Sequence, residues 1–186
     1  MTKRIYAALV ALSLFGISGC LTSESKLNAD GSGTMTLSYV TKPAAMVGER
    51  RRLEGPHVQV VKDEHKDGRA LFELSFDDAR QLNTSRYFEN VEVTMADNAG
   101  NTDLTVKIVH KTTQRLTDEI ADKVGKEVKI AITLPGEVVT SNATSTQGST
   151  VTWTFASPDF TNMREVLLTA TYKGSAPAPA KSPAAS

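Results

Sequence analysis

The sequence predicts an α+β domain, in which a curved antiparallel sheet of short single-faced strands is covered by two or three helices. The first observation is a period-2 alternation of apolar and polar residues in seven segments, which gives each strand one apolar face. The second is three intervening segments with helix start and stop signals. Single-faced strands need a covering layer, and helices are the elements available here to provide it.

Turn-forming residues separate the predicted strands. Asp30-Gly31 is predicted to join strands at residues 25–28 and 33–40, and Asp67-Gly68 to join strands at 58–61 and 70–76. Residues 98–101 separate two further strands, and residues 145–148 separate 138–140 from 151–155. The alternating segments are residues 34–39, 72–76, 91–95, 104–108, 128–134, 150–155 and 166–172.

Three helices are predicted at residues 43–54, 77–87 and 113–126. The first begins at Pro43 and stops before Gly55-Pro56, since proline suits a first helical turn and both residues end helices. The third carries an apolar stripe with a spacing of four residues. That stripe consists of Leu116, Ile120 and Val124.

The N-terminus has the three parts of an export signal. Lys3 and Arg4 precede an apolar segment at residues 5–17, which is too short for the ~20 residues of a membrane span. The signal ends in Ile17, Ser18, Gly19 and Cys20. These four residues resemble the bacterial lipobox, whose cysteine receives a diacylglycerol after which the preceding bond is cut.

This resemblance implies three regions and a location. Residues 1–19 are expected to be a signal peptide, 20–173 a periplasmic domain, and 174–186 a disordered tail rich in Pro and Ala. Cys20 would anchor the exported domain to the cell membrane through lipid. Because Leu21 rather than Asp follows the cysteine, the outer membrane facing the periplasm is expected in a Gram-negative host.

Charge and residue types argue against several function classes. The chain has 21 basic and 21 acidic residues, so no nucleic-acid partner is expected. His57, His65 and His110 have no neighbouring His or Cys at ligand spacing, and the single cysteine is assigned to lipid. No nucleophile elbow or phosphate-binding glycine loop is present. We therefore expect no metal, no cofactor, no catalytic residues and no enzymatic activity.

One basic cluster, Arg50-Arg51-Arg52, lies in the first predicted helix. These arginines could contact anionic lipid headgroups at the membrane that holds Cys20. They could also form a solvated helix face, since Glu49 and Glu54 flank them and partly neutralise their charge. The sequence leaves both interpretations open.

Three short motifs carry a family resemblance. They are the residues 28–33 (NADGSG), 134–139 (LPGEVV) and 150–155 (TVTWTF). With the preceding lipobox, they are similar to the LppM-like lipoprotein domain known from actinobacteria. The resemblance implies an α+β domain with a lipid or glycolipid pocket and a role in the cell envelope, and it transfers no catalytic residues. Relatives often end in a membrane helix, where this sequence has its Pro/Ala tail.

These observations predict a membrane-anchored, non-enzymatic domain that binds a lipid or another hydrophobic ligand. The alternative is an interaction or assembly module for a protein partner in the envelope. The two differ in whether the space against the sheet is hollow or filled. For the hollow case, the aromatic residues Phe72, Phe76, Trp153 and Phe155 are the predicted pocket lining.

Overall fold

The computed structural model describes residues 21–110 and 126–174. Within these ranges the chain is mainly β structure, with eleven strands arranged in two open sheets and a few short helical segments. The strands are β1 (Leu21–Leu27), β2 (Gly33–Val40), β3 (Val58–Lys66), β4 (Arg69–Phe76), β5 (Val91–Asn98), β6 (Asn101–Val109), β7 (Glu127–Thr133), β8 (Val138–Ser141), β9 (Ser145–Gln147), β10 (Thr150–Ala156) and β11 (Glu165–Lys173).

The large sheet has seven strands in the order β3-β4-β2-β1-β7-β10-β9, and the small sheet has four in the order β5-β6-β11-β8. The central strand β1 pairs antiparallel with β2 and parallel with β7. The prediction of one antiparallel sheet is therefore wrong in two respects. There are two sheets, and one strand pair is parallel.

The predicted hairpin turns between β1 and β2, β3 and β4, and β5 and β6 are confirmed. Asp67 and Gly68 both have positive φ angles, 51° and 76°. This is the backbone that a two-residue hairpin requires and that Asp-Gly adopts readily. The predicted hairpin around 145–148 differs, because β8 joins the small sheet whereas β9 and β10 join the large one.

The helical segments agree in part with the sequence. The first consists of a 3-10 turn at Pro43–Ala45 followed by α1 (Met46–Leu53), which packs on β3. The second is a 3-10 helix at Ala79–Thr84, begun by Asp78, whose carboxylate accepts the Arg80 N–H at 2.9 Å. The predicted helix at 113–126 lies almost wholly outside the described residues. A helix that was not predicted, α2 (Ser157–Asn162), follows β10.

The two sheets supply the covering layer for each other. Buried residues from both belong to one hydrophobic cluster, among them Phe72 and Leu74 of the large sheet and Leu168 and Tyr172 of the small sheet. Within the described ranges the helical segments contact the sheets only locally. α1 packs on β3, the 3-10 helix at Ala79–Thr84 on β5, and α2 on β7 and β10. No helix within these ranges is both long and apolar enough to cross a bilayer.

The glycine of the motif at residues 134–139, Gly136, lies at a close contact between two backbone segments. A Cβ atom at this position would overlap the carbonyl oxygen of Lys173, at the end of β11. The Lys173 N–H donates to the Glu137 carbonyl at 2.9 Å, so the two segments run in close contact. Glycine is thus required by close backbone approach.

Asn142 connects the two sheets where the chain passes from β8 to β9. Its Oδ1 accepts the Trp153 indole N–H and the Thr169 backbone N–H, both at 2.8 Å. Its Nδ2 donates to the Leu167 carbonyl at 2.8 Å. One amide side chain therefore holds a strand of each sheet.

Asn142→Ala should lower the free energy of unfolding by about 1–2 kcal/mol, because the buried Trp153 N–H loses its acceptor. Chemical denaturation measures this difference. Asn98→Ala is the control, since that amide bonds Asp103 at an exposed hairpin and its loss should cost less than ~0.5 kcal/mol. Equal stability of the two variants would contradict the connecting role of Asn142.

Candidate functional site: an apolar cavity between the sheets

A cavity of about 560 Å³ lies between the two sheets. Its volume is within the roughly 300–1,000 Å³ that is typical of ligand pockets. Its lining is predominantly aliphatic and aromatic and comes from both sheets and from the 3-10 helix at Ala79–Thr84. A space of this size and polarity suits a hydrophobic ligand.

The large sheet forms one wall through its central strand. Along β1 the residues facing the cavity are Leu21, Ser23, Ser25 and Leu27. Strands beside it place larger side chains at the same level, with Ile130 of β7 opposite Ser23. The two serines are too small to reach the facing sheet, which leaves the middle of the wall recessed.

The small sheet forms the opposite wall. Its cavity-lining residues are aliphatic and come from β5, β6 and β11. Val93 and Leu104 are buried, but Val106 and Ile108 remain partly exposed although they lie on the inner face. Protein atoms therefore leave some of this apolar inner face uncovered.

Polar side chains gather at the end of the cavity where β1 begins. Leu21 is in register with Val128, which in turn is in register with Phe155. The Phe155 ring contacts Phe160 at a centroid distance of 5.4 Å, and Phe160 contacts His110 at 5.0 Å. This chain of contacts puts His110 at the same end as Leu21.

His110 and Arg52 are held in place by neighbours. His110 Nδ1 lies 2.7 Å from the Met163 carbonyl oxygen. Arg52 lies over the Tyr87 ring at 5.7 Å and its guanidinium is 3.4 Å from the Glu49 carboxylate. Together with Asn90, these two side chains give the cavity its charged and amide lining. The cavity thus has an apolar body with polar groups at one end.

Of the four aromatic residues predicted to line the pocket, the structure brings Phe76 alone to this cavity. Phe72 is fully buried and stacks on Tyr39 at 6.0 Å. Trp153 is buried with its N–H bonded to Asn142. Phe155 packs on Phe160, which lines the cavity, but does not itself belong to the lining. These three residues therefore stay outside the lining of this cavity, with Phe72 and Trp153 in the hydrophobic core and Phe155 packed against it.

The three arginines do not form one cluster. Arg50 is 3.0 Å from Glu54 and 2.5 Å from Asp63, whereas Arg51 is exposed and Arg52 reaches the cavity. Consecutive helical residues point in different directions, so this separation follows from the helix itself. The contact with lipid headgroups stays a prediction, and Arg52 is the only one of the three arginines that lines the cavity.

A hydrogen bond between Tyr39 of β2 and Glu49 of α1 connects this helix to the large sheet. The Tyr39 hydroxyl donates to the Glu49 carboxylate at 3.0 Å. Burial, followed by the nearby Tyr87 and the Glu49 carboxylate, raises the pKa of Tyr39 far above its ordinary value. The phenol therefore stays protonated and keeps this donor role at any physiological pH.

The other histidines lie apart from the cavity lining. His57 Nδ1 is 2.9 Å from the Asp77 carboxylate, and His65 Nε2 is 3.0 Å from the Thr41 carbonyl oxygen. Among residues 21–110 and 126–174, no three His, Cys, Asp or Glu side chains are grouped to hold a metal. Cys20 with Ile17, Ser18 and Gly19 lies outside the described residues.

Sequence reasoning missed Ser23 and Ser25. Residues 22–26 are all polar, so the alternation that marks the other strands is weak in β1. The available signal was Leu21 and Leu27, which flank the serines at even spacing and assign all four residues to one face.

Comparisons with known proteins agree with this architecture. A family model described as the LppM domain matches residues 26–167. The NMR structure of the folded domain of Mycobacterium tuberculosis LppM is similar in fold, with a TM-score of 0.53 and 14% sequence identity over 89% of this chain and 96% of that chain. No curated protein matches this chain. The family resemblance read from the sequence is confirmed, and the chain belongs to the LppM family of lipoprotein-like domains.

Proposed function

We propose that this protein is a lipid-anchored, non-enzymatic protein of the cell envelope that binds the acyl part of a lipid in the cavity between its sheets. The observation that carries the proposal is the apolar cavity of about 560 Å³. Its lining includes Val106, Ile108 and Ile130, which are partly exposed inside the fold. Covering such surface with hydrocarbon is favourable by about 25 cal/mol per Å².

The position of the predicted anchor supports a lipid as the ligand. Cys20 directly precedes Leu21, which lines the cavity. Consecutive Cα atoms are about 3.8 Å apart, so a lipid on Cys20 would hold this end of the cavity close to the bilayer. A ligand taken from that membrane would then have a short path to the apolar walls.

The polar end of the cavity, where β1 begins, suits a lipid headgroup that faces the membrane. A lipid that enters tail first leaves its headgroup near Arg52, Asn90 and His110. Guanidinium and amide groups there can donate hydrogen bonds to headgroup oxygens. The tail would extend toward Leu27 and Phe76 at the other end of β1 and β4.

Native mass spectrometry tests the proposal on residues 20–186 carrying Cys20→Ser, so that no lipid is attached covalently. After incubation with vesicles of phosphatidylethanolamine and phosphatidylglycerol, we expect an adduct with the mass of one lipid. Emission of Trp153, the single tryptophan, should change little, because its ring does not line the cavity. A protein that stays free of lipid across several lipid classes would reject the proposal and favour the interaction module.

A further inference from the structure

Two serine hydroxyl groups lie in the middle of one wall of the apolar cavity. Ser23 and Ser25 both line it from the central strand β1, and Ser23 is only 9% exposed. Residues two apart on one strand face are separated by about 6.6 Å. The hydroxyls therefore form a short polar row along the length of the cavity, away from the polar residues at its end.

The neighbours of these serines are apolar on both sides. Ser23 is flanked by Leu37 of β2 and Ile130 of β7. Ser25 is flanked by Met35 and Ile132 in the same way. Side chains in register on adjacent strands share a face, so the large sheet offers neither hydroxyl a polar neighbour there.

No hydrogen bond of the Ser23 or Ser25 hydroxyl is found within the described part of the chain. Both hydroxyls are open to the cavity, unlike the Tyr172 hydroxyl, which is sealed in the core without a partner among the described residues. The facing wall consists of aliphatic side chains such as Val106 and Leu168. Buried hydroxyl groups are normally hydrogen-bonded, by protein, water or ligand. A ligand in the cavity would therefore bind more favourably if it carried an acceptor oxygen atom level with Ser23 and Ser25.

We propose that Ser23 and Ser25 select lipids whose ester group lies inside the cavity, because each hydroxyl can donate to an ester carbonyl oxygen. This inference rests on the proposed lipid-binding function and specifies its ligand class. An ester carbonyl is a strong acceptor on an otherwise apolar chain, so it matches a hydroxyl set in an apolar wall. An alkyl ether of the same length fills the same space but has no carbonyl.

A competition between two single-chain lipids tests the selection. Residues 20–186 with Cys20→Ser are incubated with equal amounts of 1-palmitoylglycerol and 1-O-hexadecylglycerol, and bound species are counted by native mass spectrometry. We expect the ester to be bound about tenfold more than the ether, as one or two hydrogen bonds would give. Equal binding would overturn the selection, with water satisfying the serines, while leaving lipid binding intact.

The double variant Ser23→Ala and Ser25→Ala should bind the ester and the ether about equally, without loss of thermal stability. Thr22→Ala is the matched control, since it removes a hydroxyl from the opposite face of the same strand, and it should keep the tenfold preference. A preference unchanged in the double variant would overturn the role of the serines. Binding of neither lipid by any variant would reject the proposed function, and this inference with it.

Discussion

Val106→Trp should weaken lipid uptake by tenfold or more while leaving the protein folded. Val106 is in register with Val93 and Leu168, so it lies at the centre of the small sheet's inner face. It lines the cavity and is partly exposed there. An indole ring at this position would extend toward the recess at Ser23 and Ser25 and occupy the space that we assign to the acyl chain.

The thermal midpoint of this variant should stay the same or rise. A large side chain placed in a filled core causes strain, whereas one placed in a cavity gains contacts with the walls. Uptake of 1-palmitoylglycerol, counted by native mass spectrometry, gives the binding result, and a thermal scan gives the stability result. The pair of measurements separates loss of binding from loss of fold.

Thr105→Trp is the control for this prediction. Thr105 is the preceding residue on β6, so its side chain points away from the cavity, and it does not belong to the lining. It should bind lipid as the unmodified protein does. Unchanged uptake by Val106→Trp would contradict the cavity as the binding site, even if lipid still bound elsewhere.

The strands could be predicted from sequence because their alternation is local. Phe72, Leu74 and Phe76 alternate with Glu73 and Ser75, and β4 has the buried face that this pattern indicates. How strands are divided between sheets is not local. Val106 and Val151 lie in segments that alternate in the same way, yet the first belongs to the small sheet and the second to the large sheet.

The position of the cavity could not be predicted from the large apolar residues, because the recess in its wall lies at two small side chains, Ser23 and Ser25. Phe72 and Trp153 are large and apolar, but both side chains are buried in the core and do not border the cavity. The hollow lies beside Ser23 and Ser25, in a strand with little apolar character of its own. Only the pairing of β1 at the centre of the large sheet turns those serines into a recess.

Short helices could not be predicted from apolar periodicity. Helix α2 has six residues, which is fewer than two turns, so no repeated apolar spacing can mark it. The segment after Phe76 resembles a helix start because Asp78 is a good cap, but the chain forms only 3-10 turns before Ser85 ends them. The family, by contrast, could be recognised from short motifs, since Gly136 is fixed by close backbone contact.

Phe72→Ala should cause the largest loss of stability that we expect in this fold. The Phe72 side chain is fully buried on β4, between Leu37 of β2 and Asp63 of β3, and its ring stacks on Tyr39. Removing a buried phenylalanine ring costs about 3–5 kcal/mol, because apolar transfer free energy is lost and a cavity remains. For a domain of this size the thermal midpoint should fall by roughly 6–20 °C.

Denaturant unfolding of Phe72→Ala and Phe155→Ala tests how the two predicted pocket residues differ. Phe155 is partly exposed, so its truncation should cost less than half as much, since fewer contacts are lost. Below its melting temperature, Phe72→Ala should still take up lipid, because the ring is absent from the cavity lining. A decrease of less than ~2 kcal/mol in the free energy of unfolding would contradict the position of Phe72 in a tightly packed core. Abolished lipid uptake in a folded Phe72→Ala variant would show instead that Phe72 borders the ligand.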